Sequence, residues 1–246
     1  MTLYIGTSGW DYPEWKPGFY PDGLPHSRFL THYSNVLDAC EINATFYRLQ
    51  TPATIQRWLA ATPERFQFVT KAHRRLTHSR LLPVEGPGRT FLEEFLTSVA
   101  PLGDRLGALL FQFPPHRERD DLSFERLLAT LPRTHRYAFE FRHPSWEAAE
   151  IAELVAAHGA TICMAETEGL VPARLPPGPL AYVRLRFDAY SEAARSAWRD
   201  LLVSEARDRD VFVFTKHEGV PAGDPASGIG LAAWLAEQNR GPRETP

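Results

Sequence analysis

Two glutamates, Glu41 and Glu140, stand near the ends of short apolar runs, and each is followed two positions on by a polar or cationic residue, Asn43 and Arg142. A pair of carboxylates with unequal neighbours is equipment for acid/base catalysis. A cation such as Lys71 or Arg142 holds one carboxyl ionised while the other stays nearer neutrality. Glu41 and Glu140 are therefore the expected catalytic pair. Other runs end in Lys71, Gln112, Glu166, Arg184, Arg186 and Lys216. Charge gathered in one place without partners is costly, so these cations predict a ligand that carries negative charge. The alternative is a self-paired network of Glu41, Lys71, Glu140 and Arg184, because structural ion pairs also sit in clefts.

The elements that must position these residues follow from periodicity. Eight apolar runs, Leu3 to Gly6, Leu37 to Asn43, Phe66 to Lys71, Leu106 to Gln112, Tyr137 to Arg142, Thr161 to Glu166, Leu180 to Arg186 and Val211 to Lys216, alternate with longer segments. Seven of those segments carry a helical period: His26 to Ser34, Pro52 to Ala61, Arg89 to Val99, Ser123 to Leu131, Ser145 to His158, Ser191 to Arg207 and Ala226 to Gln238. Strands alternating with helices predict a parallel sheet. With 246 residues, close to the roughly 250 of a single barrel, the chain reads as one α/β domain, a (β/α)8 TIM-type barrel over residues 1–240 with a flexible tail at 241–246. Pro172, Pro176, Pro177 and Pro179 occupy the place of a sixth helix and predict an irregular connection there.

In such a barrel the site lies where the strands end. Side chains two apart on a strand share a face, so Glu41 and Asn43 go with Ala39, and Glu140 and Arg142 go with Ala138. The bulky residues Tyr137, Phe139 and Phe141 take the opposite face, toward the helices. The polar set then points into the barrel mouth, and Lys71, Gln112, Glu166, Arg184, Arg186 and Lys216 are expected to join it.

Two long loops, Trp10 to Pro25 and Ala72 to Gly88, should rise over that mouth. The first carries Trp10, Tyr12, Trp15, Phe19 and Tyr20, of which Trp10 is the expected ligand contact. The second opens a basic stretch, Lys71, His73, Arg74, Arg75, His78 and Arg80. Gly219 to Gly230, ahead of the last helix, is a candidate phosphate-binding turn. A metal would recruit Glu140, Glu166 and His143 with His217 or Glu218, although no compact ligand motif is present. The residues name no cofactor.

Five stretches also carry a family pattern: Ile5-Gly-Thr-Ser-Gly-Trp10, Glu41-Ile-Asn-Ala-Thr-Phe-Tyr47, Leu76-Thr-His78, Phe111-Gln-Phe-Pro-Pro115 and Phe139-Glu-Phe-Arg-His-Pro-Ser-Trp146. In this order they resemble the YecE-like proteins, domain of unknown function seventy-two. The resemblance implies a TIM-type barrel and a family whose activity is not established, with a loose analogy to sugar isomerases. Its motif positions here are Thr7, Ser8, Trp10, Glu41, Asn43, Phe46, Tyr47, Lys71, Thr77, His78, Gln112, Glu140, Arg142, His143 and Trp146. The chain departs from the commoner pattern at Ala165-Glu166-Thr167 and at Lys216-His217-Glu218, where relatives resemble Ser-Asp-Thr and Asn-Asn.

A net charge of -3 gives no global attraction to nucleic acid or anionic membranes, so anion binding must be local. No run reaches the roughly 18 apolar residues of a membrane span, and the chain enters its first strand without a leader, which makes cytoplasmic residence the expectation. Cys40 and Cys163 fall on runs nearly opposite in a barrel and are not expected to pair. The expected function is an enzyme that binds a small polar, anionic ligand, a sugar phosphate or nucleotide-like molecule. Glu41 and Glu140 would be catalytic, and Thr7, Ser8, Trp10, Asn43, Lys71, His78, Gln112, Arg142, His143, Trp146, Arg184 and Lys216 would bind the ligand. The alternatives are a nucleic-acid-binding or repair-associated protein using the basic loop, a ligand sensor without catalysis, and a metal-dependent isomerase or hydrolase.

Overall fold

The computed structural model describes residues 1–218 and 221–240. Eight parallel strands close a barrel in sequence order: β1 (Leu3–Thr7), β2 (Ala39–Ile42), β3 (Gln67–Lys71), β4 (Leu106–Gln112), β5 (Tyr137–Glu140), β6 (Thr161–Glu166), β7 (Leu180–Leu185) and β8 (Asp210–Thr215), with β8 pairing back to β1. The helices are α1 (Phe29–Val36), α2 (Ala44–Tyr47), α3 (Pro52–Ala60), α4 (Arg74–Thr77), α5 (Gly86–Val99), α6 (Asp121–Thr130), α7 (Ala149–Ala157), α8 (Glu192–Glu205) and α9 (Gly228–Arg240). The anticipated barrel is thus observed, and between β6 and β7 the prolines leave no helix. The expected tail at 241–246 lies outside the described residues.

Alternation along the strands produces two apolar layers. Inside the barrel lie Tyr4, Ala39, Val69, Ala108, Leu110, Ala138, Cys163, Leu180, Tyr182, Phe212 and Phe214. The larger layer, between barrel and helices, takes the opposite phase, including Cys40, Ile42, Phe68, Phe111, Phe139 and Val213. Both cysteines are buried and free.

Several residues predicted as strand tips lie just past the ladder. Asn43, Arg142, Arg186 and Lys216 each follow the last paired stretch, where the backbone turns toward the next helix. The one-turn helices α2 and α4 have no counterpart in the sequence reading, since four residues are too few to display a 3.6-residue period. The segment expected as one helix from Ser145 to His158 is a 3-10 turn, Pro144–Trp146, followed by α7.

Strands β1 and β2 approach closely at Gly6, where a Cβ would meet the Ala39 carbonyl oxygen at 2.0 Å, so no side chain fits. The fully buried Tyr33 phenol fastens this seam. It donates to the Ala39 carbonyl at 2.9 Å and accepts from the Thr7 N–H at 2.8 Å. Tyr33→Phe strands both backbone groups and is expected to destabilise the fold by about 1–3 kcal/mol. Urea unfolding checks this, and an unchanged midpoint would refute the seam's importance.

Candidate functional site

Strand alternation brings Glu41, Lys71, Gln112, Glu140 and Arg184 to the C-terminal end of the barrel, and the loops add Tyr12, Asn43, Arg142, Arg186 and His217. All of these except the buried Glu41 and Gln112 border a mouth of about 820 Å³, whose lining also includes Phe46, Tyr47, Pro115, Phe141, Ala165 and Thr167. That volume suits a small-molecule ligand. A second cavity, about 850 Å³, lies between the β1–α1 loop and α9. It is lined mainly by small and apolar residues such as Gly18, Phe19, Val36, Ala222 and Trp234. The charged chemistry belongs to the mouth.

Arg184 organises the floor. Its guanidinium donates through Nη2 to Glu41 Oε1 at 2.9 Å and through Nη1 to Glu140 Oε2, joining carboxylates from β2 and β5. Glu41 is fully buried and also accepts from Ser8 Oγ and from the Tyr182 phenol, both at 2.7 Å. Burial first, and then the Glu41 charge, keep the Tyr182 phenol protonated as a fixed donor. Glu140 accepts at Oε1 from Gln112 Nε2 at 2.7 Å and from Arg142 Nε at 2.8 Å. Burial opposes its ionisation, but Arg184 and Arg142 prevail and hold its carboxyl below the usual range.

The expected division of labour, one carboxyl ionised and the other near neutrality, therefore has little support. Glu140 is held ionised, and Glu41 lies beneath the mouth with both oxygens occupied.

Lys71 is the contrasting group. It lines the mouth at the end of β3, with Nζ 4.4 Å from the centroid of the Phe46 ring. Burial, with Arg184 and Arg142 adding to it and Glu41 and Glu140 opposing, pushes its ammonium down to about 8. Three further polar atoms in this region are buried without a hydrogen-bond partner among the described residues: Asn43 Oδ1, His217 Nδ1 and Arg184 Nε. Buried polar atoms are rarely left unpaired, so these mark places for a polar ligand or water.

Other expected ligand contacts do different work. Thr7 faces away from the mouth and donates to the Gly9 carbonyl at 2.5 Å. Trp10 packs edge-on against Trp58, and it is Tyr12 that reaches the mouth, stacked on His217 with ring centroids 4.5 Å apart. Trp146 is buried against Phe141 and donates to the Arg117 carbonyl at 2.9 Å. His143 caps the 3-10 turn by accepting from the Ser145 N–H at 3.2 Å. His78 packs edge-on to Phe46 and sits near Thr77, and burial and then Lys71 hold its imidazole below the ordinary value. Gln112 supports Glu140 from the neighbouring position on β4, and Lys216 pairs with the exposed Asp188.

Glu166 corrects the expected convergence. Cys163 points into the barrel, so alternation sends Ala165 and Thr167 to the mouth and Glu166 the other way. There it accepts from the N–H groups of Glu168 and Leu170 at 2.6 and 3.0 Å and from the Tyr190 phenol, tying down the proline-rich connection. This also dismantles the metal-ligand set of Glu140, Glu166 and His143. Among the described residues no three His, Cys, Asp or Glu side chains gather to hold a cation.

The glycine segment serves backbone geometry. Gly228 has a φ of +56°, and a Cβ on Gly230 would meet the Asp224 carbonyl oxygen at 2.0 Å. Gly219 lies outside the described residues. The basic stretch is likewise partly committed, since His73 caps α4 and Arg75 lies 3.9 Å over the Phe91 ring.

Missing from the expected contacts were Tyr12, Phe46, Tyr47, Thr167 and His217, all of which line the mouth, while Arg186, expected to point into the mouth though not named as a ligand contact, lines it too. For Arg186 the signal was present, since it shares the strand phase of Arg184. Tyr12 and His217 come from loops far apart in sequence, and nothing local announces their stacking.

The pattern of the family described as "Protein of unknown function DUF72" matches residues 4–245. The chain is 31% identical over 150 residues to the UPF0759 protein YunF of Bacillus subtilis, covering 58% of this chain and 52% of that protein. It is 29% identical over 146 residues to the UPF0759 protein YecE of Escherichia coli, covering 58% and 50%. The chain thus spans about half the length of the curated relatives it matches. Among solved structures it is similar to a DUF72 family protein of Thermotoga maritima, with a TM-score of 0.79 and 25% identity over 98% of this chain and 100% of that one. One from Enterococcus faecalis, at 16% identity, TM-score 0.70 and 97% of each chain, shares the fold. Among the described residues no helix is long and apolar enough to cross a membrane.

Proposed function

The chain belongs to the DUF72 family, and from that membership and the chemistry of the mouth we propose an enzyme that binds a small polar, anionic ligand, a sugar phosphate or nucleotide-like molecule, and moves protons on it. The excess of cations carries this reading. Among the described residues, Lys71, Arg142, Arg184 and Arg186 face only Glu41 and Glu140, and both carboxylates already accept from Arg184. An anion is the partner that balances the remainder. Tyr12, Phe46 and Tyr47 offer ring faces to the uncharged part of such a ligand.

In this reading Glu41 and Glu140 are counter-ions that hold Arg184 in place. Lys71, with its lowered pKa, takes the proton-transfer role that the sequence assigned to the carboxylates. Asn43 and His217 orient the ligand through their unpartnered atoms. The nucleic-acid reading draws less support, because His73 and Arg75 of the basic loop are spent on capping and packing.

Sulfate, which keeps its charge across neutral and mildly alkaline pH, is the simplest probe. Calorimetry is expected to give saturable binding that weakens with ionic strength. Affinity should fall about tenfold as pH rises through about 8, because Lys71 is cationic below that value and neutral above it. His78, held low, titrates in a more acidic range. Absence of saturable binding, or an affinity indifferent to this pH window, would sink the proposal.

A further inference from the structure

Of the 27 basic residues in this chain only three are lysines, Lys16, Lys71 and Lys216, and the rest are arginines. A chain that meets its need for positive charge with guanidinium has an amine in its mouth. The other two lysines have structural partners. Lys16 donates to the backbone carbonyls of Asp22 and Leu24 at 2.9 and 2.8 Å, and Lys216 pairs with Asp188. Lys71 forms no ion pair among the described residues, since the nearby carboxylates engage Arg184 and Arg142 instead. Its Nζ lies on the Phe46 ring at the border of the cavity.

A site that needed only a fixed positive charge here would be better served by arginine, which stays protonated throughout the physiological range. An amine adds one capability that guanidinium lacks, which is nucleophilic attack on a carbonyl carbon once it is deprotonated. Its low-dielectric setting between guanidinium groups favours the neutral form that attack requires.

We infer that Lys71 is the nucleophile of the mouth, forming an imine with an aldehyde or ketone whose phosphate or carboxylate rests on Arg142 and Arg186. This rests on the anion-binding reading and narrows the substrate class to oxo phosphates and oxo acids. The Nζ lone pair attacks the carbonyl carbon and the π pair moves to oxygen. The resulting carbinolamine then loses that oxygen with the two amine hydrogens as one water, leaving a C=N bond. No oxidant or reductant is consumed. Protonated on nitrogen, the imine draws electrons from the adjacent carbon, so Lys71 promotes proton transfer there as the electron sink and not as the base that takes the proton.

The test uses pyridoxal 5'-phosphate as a reagent, an aldehyde that carries an anion, with cyanoborohydride to reduce any imine and peptide mass spectrometry to locate it. With three lysines in the chain, the map is simple. The expected result is an adduct at Lys71 in excess of about tenfold over Lys16 and Lys216, suppressed by sulfate and formed about tenfold more slowly with pyridoxal, which lacks the phosphate. Lys71→Arg should lose this adduct, and its sulfate affinity should no longer fall as pH rises through about 8, because arginine stays cationic there. An adduct spread evenly over the three lysines, or absent from Lys71 while sulfate still binds, overturns the imine and leaves the anion site standing. Equal labelling by pyridoxal without sulfate binding keeps the nucleophile and removes the anion-binding reading.

Discussion

Replacing Arg184 by methionine is expected to destabilise the barrel by about 3–5 kcal/mol, because it leaves buried carboxylates without their shared counter-ion. Arg184 and both its partners are nearly or completely buried. Glu41 would keep only neutral donors in direct hydrogen bonding, Ser8 and Tyr182, while Glu140 would keep Arg142 and Gln112. The loss should depend on pH in a definite sense. Glu140's folded pKa is depressed, so its contribution is present above the unfolded carboxyl pKa and is lost as pH falls through the folded one. Removing Arg184 moves the folded pKa up toward the unfolded one, so the acid-linked loss should be smaller in the variant and complete at a higher pH than in the wild type. Arg184→Lys should recover part of the loss, since one ammonium lacks the fork that spans both carboxylates. Urea unfolding across the acid range measures all of this. A penalty below about 1 kcal/mol would mean that the floor of the mouth is not an ionic keystone.

Ligand binding should suffer most when Arg142 and Arg186 are removed together. Arg186 donates to Ser8 Oγ at 2.9 Å and reaches Glu41 only at 3.7 Å, while Arg142 spends its Nε on Glu140 and is about half exposed. Both keep guanidinium N–H groups in hand at the rim of the cavity. Charge-assisted hydrogen bonds contribute about 1.5–3 kcal/mol each. The double variant Arg142→Ala with Arg186→Ala should therefore weaken sulfate binding by about 100-fold or more, with a smaller dependence on salt. The Arg184 bridge stays intact in this variant, so the barrel should still fold, with its melting temperature lowered by the lost Arg142–Glu140 and Arg186–Ser8 contacts. Undiminished sulfate affinity in a folded double variant would move the anion site elsewhere.

How much of this the sequence could tell differs from strand to strand. On β5 the alternation of Tyr137, Phe139 and Phe141 with Ala138, Glu140 and Arg142 is unambiguous, because one face is bulky and apolar and the other is not. The inward placement of Glu140 followed from it, and that of Glu41 followed from β2. On β6 both phases of Thr161-Ile-Cys-Met-Ala-Glu166 are acceptable in a core, so the sequence carried no preference and Glu166 was assigned to the wrong face.

The order of strands and helices, the helix-free connection after β6 and the gathering of polar residues at one end were determined by the sequence alone, since they arise from local periodicity and from proline's missing N–H. Which of those residues touch was decided by tertiary structure. Barrel closure sets the distance across the mouth, and so lets Arg184 span Glu41 and Glu140 while Lys71 goes without an ion pair among the described residues. It likewise brought Tyr12 onto His217 and drew Trp146 and His143 into packing and capping. Pairings of this kind depend on separations between strand ends far apart in the chain, a quantity that no local pattern encodes.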